Sequence, residues 1–293
     1  MSQLTVERVS EDRFDESVRV SNGEIELVAP TSIGPRIVRF GFEGGHNVFR
    51  VFDHQREDWP LIGGHRLWHS PEDEDRTHQP DTDPVEATLL EDGFRLERPV
   101  NEETQIGKAI TVRMTPAGTS VEVTHELTNS GLWPIEFAPW ALSVLKPDGT
   151  AVMPLTPQAE ADSLLPDRSI TYWPYTPPGE DRLEYGTDNV YVHQDAECDG
   201  PLKIGTSAGD GWVAYVNDGQ AFRKDFEYVP DATYPDSDSG AEVYTSSEIL
   251  ELETVGPLRT VEPGETVEHV ETWTLAEGVT EPATAADVSP DIV

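Results

Sequence analysis

Cysteine is nearly missing from this chain of 293 residues: Cys198 stands alone. That excludes an internal disulfide and a thiolate zinc cluster, and it suits a reducing compartment. Lysine is almost as scarce, occurring only as Lys108, Lys146, Lys203 and Lys224. Long apolar runs are absent too. The opening residues Met1 to Arg8 hold no signal core, and no later stretch approaches bilayer length, so neither an export signal nor a membrane anchor is read. The expected location is the cytoplasm. There is no Gly-rich phosphate loop, no GxSxG elbow and no HExxH, which removes support for dinucleotide, serine-hydrolase and common zinc chemistries. No cofactor and no metal are expected.

What the chain has in excess is negative charge. Its 20 basic residues stand against 56 acidic ones, for a formal net charge of −36. Such a surface repels nucleic acid and anionic membranes, so neither is expected as a partner. Self-repulsion of this size opposes compaction in dilute buffer, whereas roughly molar salt shortens the Debye length to about 3 Å and screens it. The composition predicts a salt-rich cytoplasm.

Short alternating or β-branched runs recur between Gly, Pro, Asn and Asp, the pattern of antiparallel strands joined by turns. Asn22-Gly23, between Val18-Arg19-Val20 and Ile25-Glu26-Leu27-Val28, is a hairpin signal because both turn positions tolerate positive φ. Helical periodicity is scarce, and the 24 prolines favour ordered loops. The fold class is therefore all-β, a large antiparallel β-sandwich, with one domain over 1–276 and a flexible tail over 277–293. Ser70 to Pro84 and Leu155 to Asp188 read as long irregular loops.

Several residues carry candidate chemistry. Gly63-Gly64-His65-Arg66-Leu67-Trp68-His69 places two histidines and an arginine beside two glycines that permit close backbone approach to a ligand. Arg66 can fork two hydrogen bonds onto a ligand's hydroxyls or an anionic substituent, or pair with a nearby carboxylate. On a strand, Glu251 and Glu253 share one face and Leu250 and Leu252 the other, so the glutamates either line a site or belong to the acidic coat. Trp68, Trp140, Tyr172, Trp173 and Tyr175 are candidate flat platforms for a ligand, whereas Trp133 reads as core. Asp236 lies in an acidic turn, with Lys224 and Glu242 on adjoining strands. The turn lacks the glycine and terminal glutamate of an EF-hand, positions held here by Ala241 and Ser247.

In order and spacing, Ile33-Gly34-Pro35-Arg36, Gly63 to Glu72, His125-Glu126-Leu127-Thr128-Asn129 through Trp140, and Glu251 to Glu265 resemble the galactose-mutarotase-like (aldose 1-epimerase-like) superfamily, and within it an uncharacterised branch. The resemblance implies a supersandwich acting on a small-molecule carbohydrate, free or substituted. Mutarotation needs one base at the anomeric hydroxyl and one acid at the ring oxygen. In the superfamily these are a glutamate and a histidine. Glu253 matches the glutamate, but the histidine slot in Phe137-Ala138-Pro139-Trp140 holds Ala138. His65 is the expected substitute acid, with His125 second, because imidazole exchanges protons near neutrality. Arg66, Trp68, His69, His125, Trp140, Lys224, Asp236 and Glu242 are the expected substrate contacts. The resemblance implies an epimerase-like isomerase; Ala138 favours the alternative of a non-catalytic sugar-binding protein.

Overall fold

The computed structural model describes residues 4–11, 13–52, 62–79, 81–155, 162–198 and 200–279. The chain opens with β1 (Thr5–Glu11), β2 (Phe14–Ser21), β3 (Ile25–Pro30), β4 (Arg36–Ile37), β5 (Arg39–Phe42) and β6 (Gly64–Ser70). It continues through β7 (Glu86–Leu89), β8 (Gly93–Arg98), β9 (Ile106–Met114), β10 (Ser120–Asn129), β11 (Ile135–Leu145) and β12 (Thr150–Pro154). The remainder holds β13 (Ile170–Tyr172), β14 (Leu183–Tyr185), β15 (Asn189–His193), β16 (Leu202–Thr206), β17 (Trp212–Asn217) and β18 (Gln220–Phe226). It ends with β19 (Ala241–Thr245), β20 (Leu250–Val255), β21 (Arg259–Val261) and β22 (Thr266–Glu277).

These strands form three antiparallel sheets. A ten-stranded sheet runs β14-β15-β12-β17-β18-β22-β10-β9-β8-β7. Facing it is an eight-stranded sheet ordered β13-β16-β19-β20-β11-β6-β4, with β21 paired to β11. A four-stranded sheet, β1-β2-β3-β5, flanks them. The all-β expectation holds, and no described helix is long and apolar enough to cross a membrane.

Alternation builds the core. Leu67 of β6, Ile204 of β16, Val243 of β19 and Leu250 and Leu252 of β20 turn inward, where they join Phe222, Val213, Trp273 and Leu275 of the large sheet. Trp273 alone touches Phe40, Phe49 and Phe222 with ring centroids 5.6 Å apart. Burying side chains of this size stabilises the fold by about 1.5–3 kcal/mol each. The Asn22-Gly23 hairpin forms as expected: Asn22 Oδ1 accepts from the amides of Glu24 and Ile25 at 3.0 Å, and Gly23 takes φ +82°.

Four local readings change. The segment read as letting a ligand approach its glycines is a buried strand from Gly64 to Ser70. Its glycines admit neighbouring backbone instead of ligand, since a Cβ would sit 2.1 Å from the Arg50 carbonyl oxygen at Gly63 and 2.3 Å from that of Ile37 at Gly64. Leu155 to Asp188, read as irregular, contains β13 and β14. Trp133, read as core, is 76% exposed in the turn after Asn129. Packing also continues past Ala276, because β22 reaches Glu277 and Val279 is buried against Val152, Trp212 and Val216. The remainder of the expected tail, 280–293, lies outside the described residues.

Candidate functional site

Strand parity decides what meets at the eight-stranded sheet. Cross-strand partners share a face, so the pairs Trp68↔Trp140, Arg66↔Leu142, Leu142↔Glu253, Glu253↔Glu242 and Glu251↔Tyr244 put all of these residues on the outer face. Lys203, opposite Tyr244, joins them. All but Glu242 line a pocket of ≈ 380 Å³ together with Glu72, His78 and Tyr175 from the loops, within the usual range for small-molecule sites. A wider hollow of ≈ 640 Å³ beside Asp83, Arg98 and Glu103 has no aromatic wall.

The pocket floor is a charge network. Lys203 Nζ donates to Glu253 Oε2 at 2.9 Å and lies 2.6 Å from Glu242 Oε2, an ion pair by distance rather than an aligned hydrogen bond. The same ammonium sits 4.5 Å from the Trp140 ring and 4.7 Å from the Trp173 ring. Trp140 Nε1 donates to Glu253 Oε2 at 2.8 Å, leaving Glu253 Oε1 without a partner. Nearby, Arg66 lies 4.3 Å over Trp68 and donates from Nη1 to Glu251 Oε1 at 2.8 Å.

One ammonium cannot neutralise two buried carboxylates. Burial pushes Glu242 well above the ordinary carboxyl range, with Lys203 opposing and Glu253 adding. Burial also raises Glu253, against the pull of Lys203. Burial alone would lower Lys203, but Glu253 and Glu242 outweigh it and hold the ammonium charged.

Of the expected site residues, the structure brings Glu253, Arg66, Trp68 and Trp140 into the pocket lining. Glu242 lies sealed behind Lys203. The rest are elsewhere. His65 and His69 point inward, because they alternate with Arg66 and Trp68 along β6. His65 is fully buried against Ser143 and His125, and burial together with the Lys224 charge holds its pKa well below the ordinary imidazole value. It therefore presents no proton to the pocket. His69 packs on Phe137, and burial with Lys108 and Arg76 nearby lowers it to about 4. His125 and Lys224 lie between the sheets, Lys224 donating to Glu271 Oε1 at 3.2 Å. Asp236 belongs to a turn in which it, Ser237 and Asp238 all take positive φ, and its Oδ2 accepts from Ser70 Oγ at 3.3 Å.

Sequence reasoning missed Lys203, His78, Glu72 and Tyr244, while Glu251 lines the pocket beside Glu253, as one of its two readings allowed. His78 stacks beside Trp68 with centroids 5.1 Å apart, and its Nε2 lies 2.7 Å from Glu72 Oε1. The scarcity of lysine was the available signal for Lys203, since a chain that excludes lysine retains it where a buried cation has fixed partners. Ala138 lies on the pocket face, packed among Trp68, Trp140, Leu142 and Val255.

The inter-sheet space holds the only grouping among the described residues with metal-ligand spacing: His65, His125 and Glu271, whose donor atoms lie within 4.8 Å of one another. This group is separate from the pocket.

No protein-family model matches the chain, and no curated protein matches its sequence. Solved structures do match. A candidate aldose 1-epimerase from Escherichia coli K12 superposes with TM-score 0.59 at 11% identity, over 94% of this chain and 99% of that one. A galactose mutarotase-like protein from Lactobacillus casei gives 0.58 at 10%, over 89% and 100%. One from Clostridium acetobutylicum gives 0.56 at 10%, over 94% and 100%. The chain thus has the fold of galactose mutarotase-like and aldose 1-epimerase-like proteins, resembling them along nearly its whole length in structure rather than in sequence.

Proposed function

We propose that the pocket binds a small-molecule sugar, free or substituted, and interconverts its anomers or epimers, with Glu253 as base and His78 as acid. The observation that carries this reading is the convergence, in one aromatic-walled pocket, of a carboxyl oxygen without a partner and an imidazole backed by a carboxylate. Glu253 Oε1 takes the proton of the anomeric hydroxyl while His78 gives one to the ring oxygen. The bond from the anomeric carbon to the ring oxygen then breaks, its electron pair goes to that oxygen, and the anomeric oxygen becomes a carbonyl. Rotation and the reverse transfers close the other anomer. Lys203 and Trp140 hold Glu253 Oε2, so that Oε1 is the oxygen free to react. Trp68 and Trp140 supply flat faces for the C–H side of a pyranose.

Polarimetry and exchange NMR on a panel of sugars test the proposal, with wild type expected to accelerate anomer exchange. An absence of acceleration across the panel, alongside saturable binding of one sugar, would favour the second reading: a non-catalytic carbohydrate-binding protein. The buried Ala138 on the pocket face supports that alternative, since it leaves the superfamily's usual proton donor out of the sheet.

A further inference from the structure

We propose that the interior cluster of His65, His125 and Glu271 binds one divalent first-row metal ion of the zinc class. This inference does not depend on the sugar chemistry of the pocket. Three strands of two sheets converge there: β6 supplies His65, and the adjacent β10 and β22 supply His125 and Glu271. All three side chains are buried, and their donor atoms lie within 4.8 Å of one another.

Ring orientation distinguishes the cluster from a chance grouping. Both histidines present Nε2 to the same point, 2.7 Å apart, while their Nδ1 atoms are already held: His65 by Ser143 Oγ at 2.9 Å and His125 by the His269 carbonyl at 2.9 Å. Metal-bound histidines are held in this way, one nitrogen on the ion and the other fixed by an outer hydroxyl, carbonyl or carboxylate. Glu271 is oriented in turn by Trp273 Nε1, at 2.6 Å from Oε2, by the Thr254 hydroxyl and by the buried Lys224 ammonium, which holds Oε1 at 3.2 Å and leaves Oε2 toward the two imidazoles. Its Oε2 lies 3.9 Å from His125 Nε2.

Proton accounting allows the exchange. His125 Nδ1 must donate to a carbonyl, so His125 Nε2 carries a lone pair. The short contact between the two rings therefore needs a proton on His65 Nε2. A metal ion takes the place of that proton if it moves to His65 Nδ1, where Ser143 Oγ can accept it. Both histidines are then neutral ligands, and no proton leaves the cluster. Zinc–nitrogen bonds of about 2.0–2.1 Å require the two nitrogens to part by roughly half an ångström. Two imidazoles and one carboxylate suit zinc, cobalt or nickel better than magnesium or calcium, which prefer all-oxygen shells.

The test uses the full-length protein, stripped with a chelator and titrated with cobalt(II) in molar salt containing excess magnesium, which occupies the acidic surface. The expected result is one cobalt per chain with visible bands of nitrogen-ligated, low-coordinate cobalt, displaced by one equivalent of zinc. His125→Ala is expected to abolish the bands, and His65→Asn to weaken binding at least tenfold. Wild-type protein that shows no such bands overturns the inference whether or not any variant folds. So does a signal that persists in a folded His125→Ala protein, which would place the ion elsewhere.

Discussion

The eight-stranded sheet carries two polar clusters on opposite faces, and they are built on different terms. On the outer face, Lys203, Glu253, Arg66 and Glu251 border a pocket, with Glu242 sealed behind Lys203, and leave Glu253 Oε1 and Arg66 Nε without hydrogen-bond partners. On the inner face, His65, Ser143 and Thr254 meet His125, Lys224, His269 and Glu271 of the large sheet, and no side-chain polar atom there is orphaned. A buried polar group without a partner costs about 1–3 kcal/mol. A fold retains such groups where a ligand can satisfy them, whereas the interior groups are hydrogen-bonded to one another across the two sheets.

Substitutions should separate the two clusters. Glu253→Gln is expected to lower the anomerisation rate by about a thousandfold, and His78→Ala by about a hundredfold with partial recovery in free imidazole, as befits loss of a general base or acid. Sugar binding by calorimetry should survive both changes. Full activity in Glu253→Gln would remove the pocket from the chemistry. Lys224→Met should do the reverse, leaving turnover intact while costing about 3–5 kcal/mol in denaturant melts, because it strands the buried Glu271 carboxylate. A Lys224→Met protein as stable as wild type would mean that the interior cluster contributes little.

The pH dependences should oppose each other. Glu242 keeps its proton in the native state above the 4.5 of the free carboxyl. The unfolded chain then binds fewer protons, so stability falls as pH rises from about 4.5 through the native value. Glu242→Gln should remove that slope. His69 has the other sign: native at about 4 against 6.5 when free, it destabilises the fold as pH drops from 6.5 to 4. His69→Gln should flatten that limb by up to about 3 kcal/mol. Chemical melts across pH 4 to 8 check both. The smallest expected effect is global: molar potassium chloride should raise the melting temperature by about 3 °C or more by screening the net charge of −36. A flat salt response would remove the case for a salt-rich setting.

Strands rich in β-branched alternation, such as Ser120–Asn129 and Thr266–Glu277, were legible because one face of each is solvated and the pattern survives. The strand Gly64–Ser70 was not, because it is buried on both faces and its polar residues are inside. In the candidate site, Glu253 and Arg66 were readable by motif and Glu251 by parity. His78 was not, since only the fold of the loop before Pro84 lays it beside Trp68. His65 was misplaced for a simple reason: adjacent residues on a strand face opposite ways, and a motif does not say which way is out.

By itself the sequence determined the acidic surface, the antiparallel β character and the shared face of Glu251 and Glu253, because each follows from composition or from the two-residue period of a strand. Only the tertiary structure decided which face of the eight-stranded sheet is open. Two sheets packed together must bury one face of each, and the choice sends Arg66 and Glu253 to the pocket and His65 and Lys224 to the interior.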